Sequence, residues 1–86
     1  MDIKKVVVIG SGTMGSGIAA QIANAGISVN LLDISTEIAT NACEHIKKSR
    51  PPLLMKEDLS SLIHPGNIED DLDQINDADW IVEAVV

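Results

Sequence analysis

Hydrophobic positions in the first third of the chain predict two short strands with a helical segment between them. The run from Lys4 to Ile9 contains four consecutive apolar residues, and Ser28 to Leu32 is a second short segment with three apolar residues. A continuous run such as the first is typical of a parallel strand that is covered on both faces. Residues Thr13 to Ala25 have a helical composition, and Gly26 is a suitable C-terminal stop. The pattern predicts a strand–helix–strand unit with a right-handed crossover.

The first predicted helix carries an apolar stripe. Met14, Ile18 and Ile22 recur every four residues, which places them on one face of a helix. Ala19 and Ala23 add only small side chains to that face, so it can lie close to the sheet. We therefore expect the helix to bury this stripe against the sheet.

The middle of the chain predicts shorter elements with polar boundaries. Ser35 or Thr36 can cap a second helix, and the Pro51-Pro52 pair stops any helix at that point. The segment from Leu53 to Ile63 predicts a short amphipathic helix. His64 to Asn67 has the composition of a turn.

Two further elements are predicted near the end of the sequence. A short strand near Ile68 precedes a short helix that Asp70 or Asp71 caps and that ends near Asn76. The apolar run from Trp80 to Val85 predicts a last strand. The chain therefore has room for four strands at most.

The turn after the first strand is rich in glycine. Gly10 ends the strand and turns the backbone through dihedral angles that a Cβ atom would penalise. Gly12 lets a pyrophosphate approach the main chain, and Gly15 lets the helix pack close to the strand. The first helical amides, around Thr13 and Met14, lack an intrahelical acceptor and lie at the positive end of the helix dipole. Together these features predict an anion site.

An acidic residue ends the second strand. Asp33 lies 18 residues after Gly15, close to the spacing of about 20 expected for a carboxylate that binds the ribose of a dinucleotide. The alternative is a structural turn followed by a helix-capping aspartate. The strand before the loop and the helix after it favour dinucleotide binding. The predicted fold class is α/β, a doubly wound parallel sheet of the Rossmann type, truncated because a complete domain has about six strands.

Composition limits the class of partner. The 86 residues are 45% hydrophobic with a net charge of −7, which argues against nucleic acid as a partner. The single cysteine, Cys43, permits no internal disulfide, and its place on an apolar helical stripe favours an inert buried thiol, as fits a reducing cytoplasm. No apolar run approaches the roughly 20 residues of a membrane span. Glycines interrupt the one stretch that resembles a signal peptide.

Other candidate groups have weaker patterns. Lys47, Lys48 and Arg50 form a basic cluster that could contact an anionic substrate such as the phosphates of coenzyme A, but such clusters are usually solvated helix ends. His64 has no partner acid at a recognisable spacing, and His45 lies in mid-helix among charged and apolar neighbours. The acidic stretch before the last helix has no histidine partners. We therefore expect neither a catalytic residue nor a metal ligand in this chain.

The motifs taken together resemble one known family. Ile9 to Ala19, Leu32-Asp33 and Ala78 to Val86 are similar to the NAD-binding region of 3-hydroxyacyl-CoA dehydrogenases. Pro65 to Leu72 resembles the long bacterial members that also carry an enoyl-CoA hydratase-like region. The resemblance spans essentially the whole chain. It implies an enzyme of fatty-acid β-oxidation that oxidises the 3-hydroxyl group of an acyl-CoA and passes hydride to NAD.

The resemblance also implies cofactor contacts by position. Gly10 to Gly15 would hold the pyrophosphate, Asp33 would bind the hydroxyl groups of the adenine ribose, and Ala84 and Val85 would line the cofactor through their backbone. An acid at that position repels a 2′-phosphate and Ile34 supplies no arginine to bind one, so NAD is favoured over NADP. The cofactor-binding residues expected from the sequence are Gly10, Ser11, Gly12, Thr13, Met14, Gly15, Asp33, Ile34, Ala84 and Val85.

The family pattern implies further parts beyond Val86. These are a glutamate and a lysine that contact NAD, a catalytic His–Glu pair, and a helical domain that completes the acyl-CoA site. We therefore expect residues 1–86 to be a partial NAD-binding domain that is inactive by itself. An unfinished sheet exposes an edge and apolar surface, which predicts self-association or marginal stability.

Two other interpretations stay open at this point. The glycine pattern also resembles the β-hydroxyacid dehydrogenases related to 6-phosphogluconate dehydrogenase. Members of that group that use NADP usually have Asn-Arg where this chain has Asp33 and Ile34. The other interpretation is a non-catalytic nucleotide-binding or interaction module, in which the open sheet edge binds a partner.

Overall fold

Strands and helices alternate along the chain in the computed structural model, which describes residues 3–49 and 53–84. The elements are β1 (Lys5–Ile9), α1 (Thr13–Asn24), β2 (Ser28–Asp33), α2 (Thr36–Lys48), a 3-10 helix (Glu57–Leu62), β3 (Ile63–Asn67), α3 (Leu72–Asn76) and β4 (Trp80–Glu83). The predicted strand–helix–strand unit at the start of the chain is confirmed, with boundaries within one residue of those expected.

The four strands form one parallel sheet in the order β3-β2-β1-β4. β1 lies in the interior of the sheet, where Val7 is in register with Asn30 of β2 and with Ile81 of β4. The chain moves outward from β1 to β2 and β3, and then crosses back to place β4 on the other side of β1. This reversal is the switch point of a doubly wound sheet, and the predicted Rossmann-type α/β fold is confirmed.

Small side chains bring α1 close to the sheet. Ala19 and Ala23 are completely buried on this helix, and Ala39 is completely buried on α2. Because these residues add little thickness, the helix backbones approach the apolar strands closely. The largest fully buried side chains are Val6, Val7, Val8, Val29, Leu31, Leu32 and Ile46.

The predicted apolar stripe of α1 was partly wrong. Met14 is 61% exposed and Ile18 is half-buried, whereas Ser16 and Ala19 are buried. The face that packs on the sheet is therefore the small-residue face. Ile22, Ala19 and Ala23 are buried as predicted, but the close approach of the helix at its N-terminal end leaves Met14 outside the contact.

The prediction of a turn at residues 64–67 and a strand near Ile68 was also wrong. Residues Ile63–Asn67 form β3, in register with β2 from Val29 to Asp33. β3 lies at the edge of the sheet, where a proline costs little because its missing N–H has no neighbouring strand to bond. Turn-forming residues are therefore compatible with a strand at this position.

The elements after β3 follow the prediction more closely. Asp71 takes the N-cap position of α3, but its carboxylate accepts a hydrogen bond from the amide of Asn67 at 3.0 Å and does not cap the helix. β4 begins at Trp80, as expected. The predicted end of this strand, Val85, lies outside the described residues.

The segment between α2 and β3 is fastened to the end of α1. The Asn24 side chain donates to the carbonyl of Leu53 at 3.0 Å and accepts from the amide of Met55 at 2.9 Å. The expected short amphipathic helix is here a 3-10 helix.

In the basic cluster, Lys47 pairs with Glu44 at 3.5 Å, and Arg50 lies outside the described residues. Within residues 3–49 and 53–84, no helix is long and apolar enough to cross a membrane.

Candidate functional site

The glycine-rich loop lies at the carboxyl ends of the central strands. Gly10 has a φ of 103°, a left-handed conformation that favours glycine, and its amide donates to the carbonyl of Leu32 at 2.8 Å. This bond fixes the start of the loop to the end of β2. The loop is therefore positioned by β1 and β2 together.

Gly15 is the point of closest contact between α1 and β1. A Cβ atom on Gly15 would overlap the carbonyl oxygen of Gly10 and would come within 3.5 Å of the Ala84 side chain. The overlapped atoms of Gly10 belong to the backbone, so no side-chain movement could relieve the overlap. The predicted packing role of Gly15 agrees with this geometry.

The N-terminus of α1 opens to solvent at Gly12. Gly12 is the N-cap, no side chain caps the helix, and a Cβ atom added there would meet nothing within 4 Å. Its carbonyl accepts the amide of Ser16 at 2.8 Å. The amides of Thr13 and Met14 precede that bond and are first-turn donors, which a helix leaves without an intrahelical acceptor. An anion such as a pyrophosphate fits this uncapped end.

Asp33 lies beside the loop with its carboxylate held by three donors. Ser11 donates to Oδ2 twice, through its amide at 2.8 Å and its hydroxyl at 2.6 Å. The amide of Ile34 donates to Oδ1 at 2.7 Å. The hydrogen bonds from Ser11 have the largest effect on the pKa of Asp33 and lower it. Burial raises the pKa by a smaller amount, and the bond from Ile34 lowers it slightly further. The carboxylate is thus a fixed negative charge beside the glycine-rich loop.

The remaining predicted residues surround the same edge. Ile34 is 80% exposed next to Asp33. Ala84 is buried, and its amide donates to the carbonyl of Ile9 at 2.8 Å, which places the end of β4 beside the start of the loop. Val85 lies outside the described residues. The structure therefore brings the described members of the predicted set to one end of the sheet.

A cavity of about 270 Å³ lies between the N-terminal end of α1 and α2. His45, to which the sequence assigned no role, lines it, and Leu53 forms part of the wall. The periodicity of α2 could have indicated this, because Ala42 and His45 are three residues apart on one face. The cavity is lined by Ser11, Gly12, Thr13, Ser16, Ala42, His45 and Leu53.

Two other classes of chemistry are not supported by the arrangement of side chains. In the part of the chain that the structure describes, no three His, Cys, Asp or Glu residues are grouped closely enough to hold a metal ion. Cys43 is half-buried, and burial raises the pKa of its thiol despite the opposing effect of Lys47. The thiol is therefore disfavoured as a thiolate nucleophile.

The open parallel sheet, the uncapped glycine-rich helix start and the carboxylate at the end of β2 define a nucleotide-binding domain of the Rossmann class. The profile of the family described as "3-hydroxyacyl-CoA dehydrogenase, NAD binding domain" matches residues 5–86. The chain belongs to this family of NAD-binding domains. The resemblance seen in the sequence is confirmed.

Individual relatives agree with the family match. A probable 3-hydroxyacyl-CoA dehydrogenase of Deinococcus radiodurans is 47% identical over 93 residues, with 100% of this chain and 27% of the relative covered. A putative fatty acid oxidation complex trifunctional enzyme of Rickettsia felis is also 47% identical, with 99% of this chain and 13% of the relative covered. The crystal structure of 3-hydroxybutyryl-CoA dehydrogenase from Escherichia coli superposes with a TM-score of 0.81 at 33% identity, with 100% of this chain and 19% of that chain covered. The chain thus spans about a quarter or less of the length of these relatives.

Proposed function

We propose that this chain is the NAD-binding portion of a 3-hydroxyacyl-CoA dehydrogenase of fatty-acid β-oxidation. The observation that carries the proposal is the arrangement of Asp33 beside the uncapped start of α1. It pairs an acceptor for ribose hydroxyls with donors for a pyrophosphate on one sheet edge. When bound at this site, NAD would supply the hydride acceptor for oxidation of the 3-hydroxyl group of the acyl-CoA.

The residues of this chain would bind and orient the cofactor. The amides of Thr13 and Met14 would donate to the pyrophosphate, which approaches closely because Gly12 has no side chain. Asp33 would accept hydrogen bonds from the adenine ribose, and Ile34 would offer an exposed apolar contact beside it. Ala84 would line the cofactor at the end of β4. The fixed charge of Asp33 would repel the 2′-phosphate of NADP, so NAD is the preferred cofactor.

The proposal extends to the rest of the protein. The acyl-CoA substrate, the catalytic groups and a helical domain belong to a longer enzyme, of which residues 1–86 are a partial NAD-binding domain. The small share of each relative that the chain covers supports this part of the proposal. We place the enzyme in the cytoplasm and expect the isolated chain to be inactive.

Self-association would occur through the exposed edge of β4, where Trp80 and Ile81 are 52% and 42% exposed.

A titration with NADH and, separately, with NADPH tests the proposal. Amide NMR signals of the purified chain are followed during each titration. We expect saturable shifts at Gly10 to Gly15 and at Asp33 with NADH, and weaker shifts with NADPH. A well-dispersed spectrum that does not change with NADH would contradict an NAD site in this chain. Equal shifts with the two cofactors would contradict the assignment of Asp33 to the ribose.

A further inference from the structure

We propose that Ser11 is a positioning residue that fixes Asp33 so that a ribose hydroxyl is accepted by one carboxylate oxygen, Oδ1. This assigns Ser11 to the carboxylate, whereas its position in the loop had suggested a contact with the pyrophosphate. The inference rests on the proposed function, because it concerns how the NAD site of that function recognises the adenine ribose.

The distribution of donors on the Asp33 carboxylate carries the argument. Each carboxylate oxygen has about two lone-pair sites for hydrogen bonds. Both sites of Oδ2 are taken by Ser11, through its amide at 2.8 Å and its hydroxyl at 2.6 Å. Oδ1 accepts one bond, from the amide of Ile34 at 2.7 Å. The remaining acceptor site of the group is therefore on Oδ1.

Ser11 is itself held in place from α1. Its carbonyl accepts a hydrogen bond from the Ser16 hydroxyl at 3.0 Å, and both serines are at least 92% buried. A chain of polar contacts, buried between Ser16 and Ser11 and partly buried at Asp33, thus runs from α1 to the carboxylate. Because neither serine is free to reorient into solvent, the carboxylate is oriented before any cofactor binds. This preorganisation lowers the entropy that binding has to overcome.

The same contacts keep Asp33 ionised. Donors to a carboxylate favour its charged form, and Ser11 supplies the largest effects on the pKa of Asp33. Other titratable groups at this edge are engaged elsewhere or lie across the cavity. Asp70 and Asp71 accept hydrogen bonds from Asn67 at the end of β3, and His45 faces the cavity from α2. Ser11 therefore extends to lower pH the range over which Asp33 is charged and can repel a 2′-phosphate.

The first arm of the test needs no cofactor. The carboxyl carbon of Asp33 is followed by NMR as the pH is lowered, in the parent chain and in three variants. In Ser11→Ala the pKa of Asp33 should rise toward its ordinary value, because the hydroxyl donor is lost. Ser11→Thr keeps a hydroxyl and should keep the low pKa. Ser61→Ala removes an exposed hydroxyl, bonded to the Asp58 carbonyl, and should change nothing.

The second arm measures the dissociation constants of NADH and NADPH across the same pH range. In Ser11→Ala the hydroxyl no longer orients the carboxylate, so binding has to order that side chain, which predicts that NADH binds up to about tenfold more weakly. The pH below which NADH affinity falls should be higher in this variant, and discrimination against NADPH should narrow in the same acid range. Ser11→Thr should bind NADH with the affinity and pH limit of the parent chain and should discriminate against NADPH equally well.

The two arms separate failure of this inference from failure of the proposed function. If Asp33 titrates identically in Ser11→Ala and in the parent chain, the positioning role is overturned. It is also overturned if NADH binds the alanine variant as tightly, with the same pH limit, as it binds the parent chain. If the parent chain does not bind NADH although Ser11→Ala shifts the pKa of Asp33, the proposed function is contradicted. The assignment of Oδ1 to a ribose hydroxyl is then contradicted as well.

Discussion

β1 and β4 are neighbouring parallel strands with similar apolar sequences, yet one is buried and the other is largely exposed. Val7 and Ile81 are in register, and their side chains are 0% and 42% exposed. Val6 and Trp80, the preceding pair, are 1% and 52% exposed. A continuous apolar run therefore predicted a strand correctly in both places, but it did not predict burial.

The difference comes from position in the sheet. β1 has a strand on each side and carries the glycine-rich turn that receives α1. β4 pairs with β1 alone among the described strands. The hydrophobic effect stabilises a side chain only in proportion to the area that its neighbours cover. We therefore expect equivalent substitutions in the two strands to have very different effects.

The largest effect is expected where β1 meets α1. A Gly15→Ala substitution places a methyl group on the Gly10 carbonyl, and both groups are fixed by backbone. We expect the free energy of unfolding to fall by about 3 kcal/mol, the upper end of the usual cost of overpacking. Urea unfolding measures the change. Gly17→Ala is the matched control because its Cβ atom meets nothing within 4 Å, and it should stabilise the helix by up to about 1 kcal/mol.

The most direct test of the comparison uses the registered pair. Val7→Ala should lower the free energy of unfolding by about 2 kcal/mol, because two buried methyl groups are removed and a cavity remains. Ile81→Ala removes more carbon atoms but should cost less than about 1 kcal/mol, because its side chain is already partly in water. Equal losses in the two variants would show that β4 is covered as completely as β1.

A smaller, local effect is expected at the start of β4. The Asp79 carboxylate accepts the amides of Lys4 and Lys5 at 2.8 and 3.0 Å, which fastens this end of β4 to β1. Asp79→Asn should speed amide hydrogen exchange in β4 and leave the amides of β2 unchanged. Asp77→Asn is the control, because the carboxylate of Asp77 makes an exposed 4.0 Å contact with Lys5 and accepts no backbone amide among the described residues. Faster exchange in both strands would mean that β4 does not open separately.

The same contact makes the protection of β4 from amide hydrogen exchange depend on pH. The amides of Lys4 and Lys5 lower the pKa of Asp79. A carboxyl group whose pKa is lowered on folding contributes its stabilisation above its unfolded pKa, about 3.9, and loses it as the pH falls through the folded value. Exchange protection in β4 should therefore hold from neutral pH to about pH 4 and then fall. In Asp79→Asn this acid-dependent loss should be absent.

Ile81→Lys should cost no more stability than about 1 kcal/mol, as expected for Ile81→Ala, but it should alter association. A lysine on an exposed edge strand opposes pairing with another chain. Sedimentation velocity over a dilution series should show self-association of the parent chain and a monomer for the variant. Identical sedimentation of the two proteins would contradict self-association through β4.

The features that the sequence predicted well are those decided by residues close together in the chain. The turn at Gly10, the helix that follows it and the acid at Asp33 are local signals, and the structure places them where they were expected. The face of α1 was harder to predict. Whether Met14 is buried depends on how closely the helix lies over the sheet, which the helix sequence does not contain.

Features that depend on distant partners could not be predicted. The residues His64 to Asn67 form a strand because β2 lies beside them, although their composition is that of a turn. The bond between Ser11 and Asp33 joins residues 22 positions apart, and the bonds from Lys4 and Lys5 to Asp79 span 75 and 74 positions. A serine between two glycines carries no signal of its own for a carboxylate partner. The sequence thus predicted which residues meet at this end of the sheet but not the hydrogen bonds among them.

The two ends of α1 are both fixed, which limits how this protein can change by insertion or deletion. At one end Gly15 packs on Gly10, and at the other end Asn24 binds the segment that carries Leu53. The 12 residues of the helix span about 18 Å, and each residue turns the helix by roughly 100°. Adding or removing one residue between these points would rotate Asn24 away from Leu53. Natural variants of α1 should therefore differ by substitution, while changes in length should occur in the connecting segments on either side.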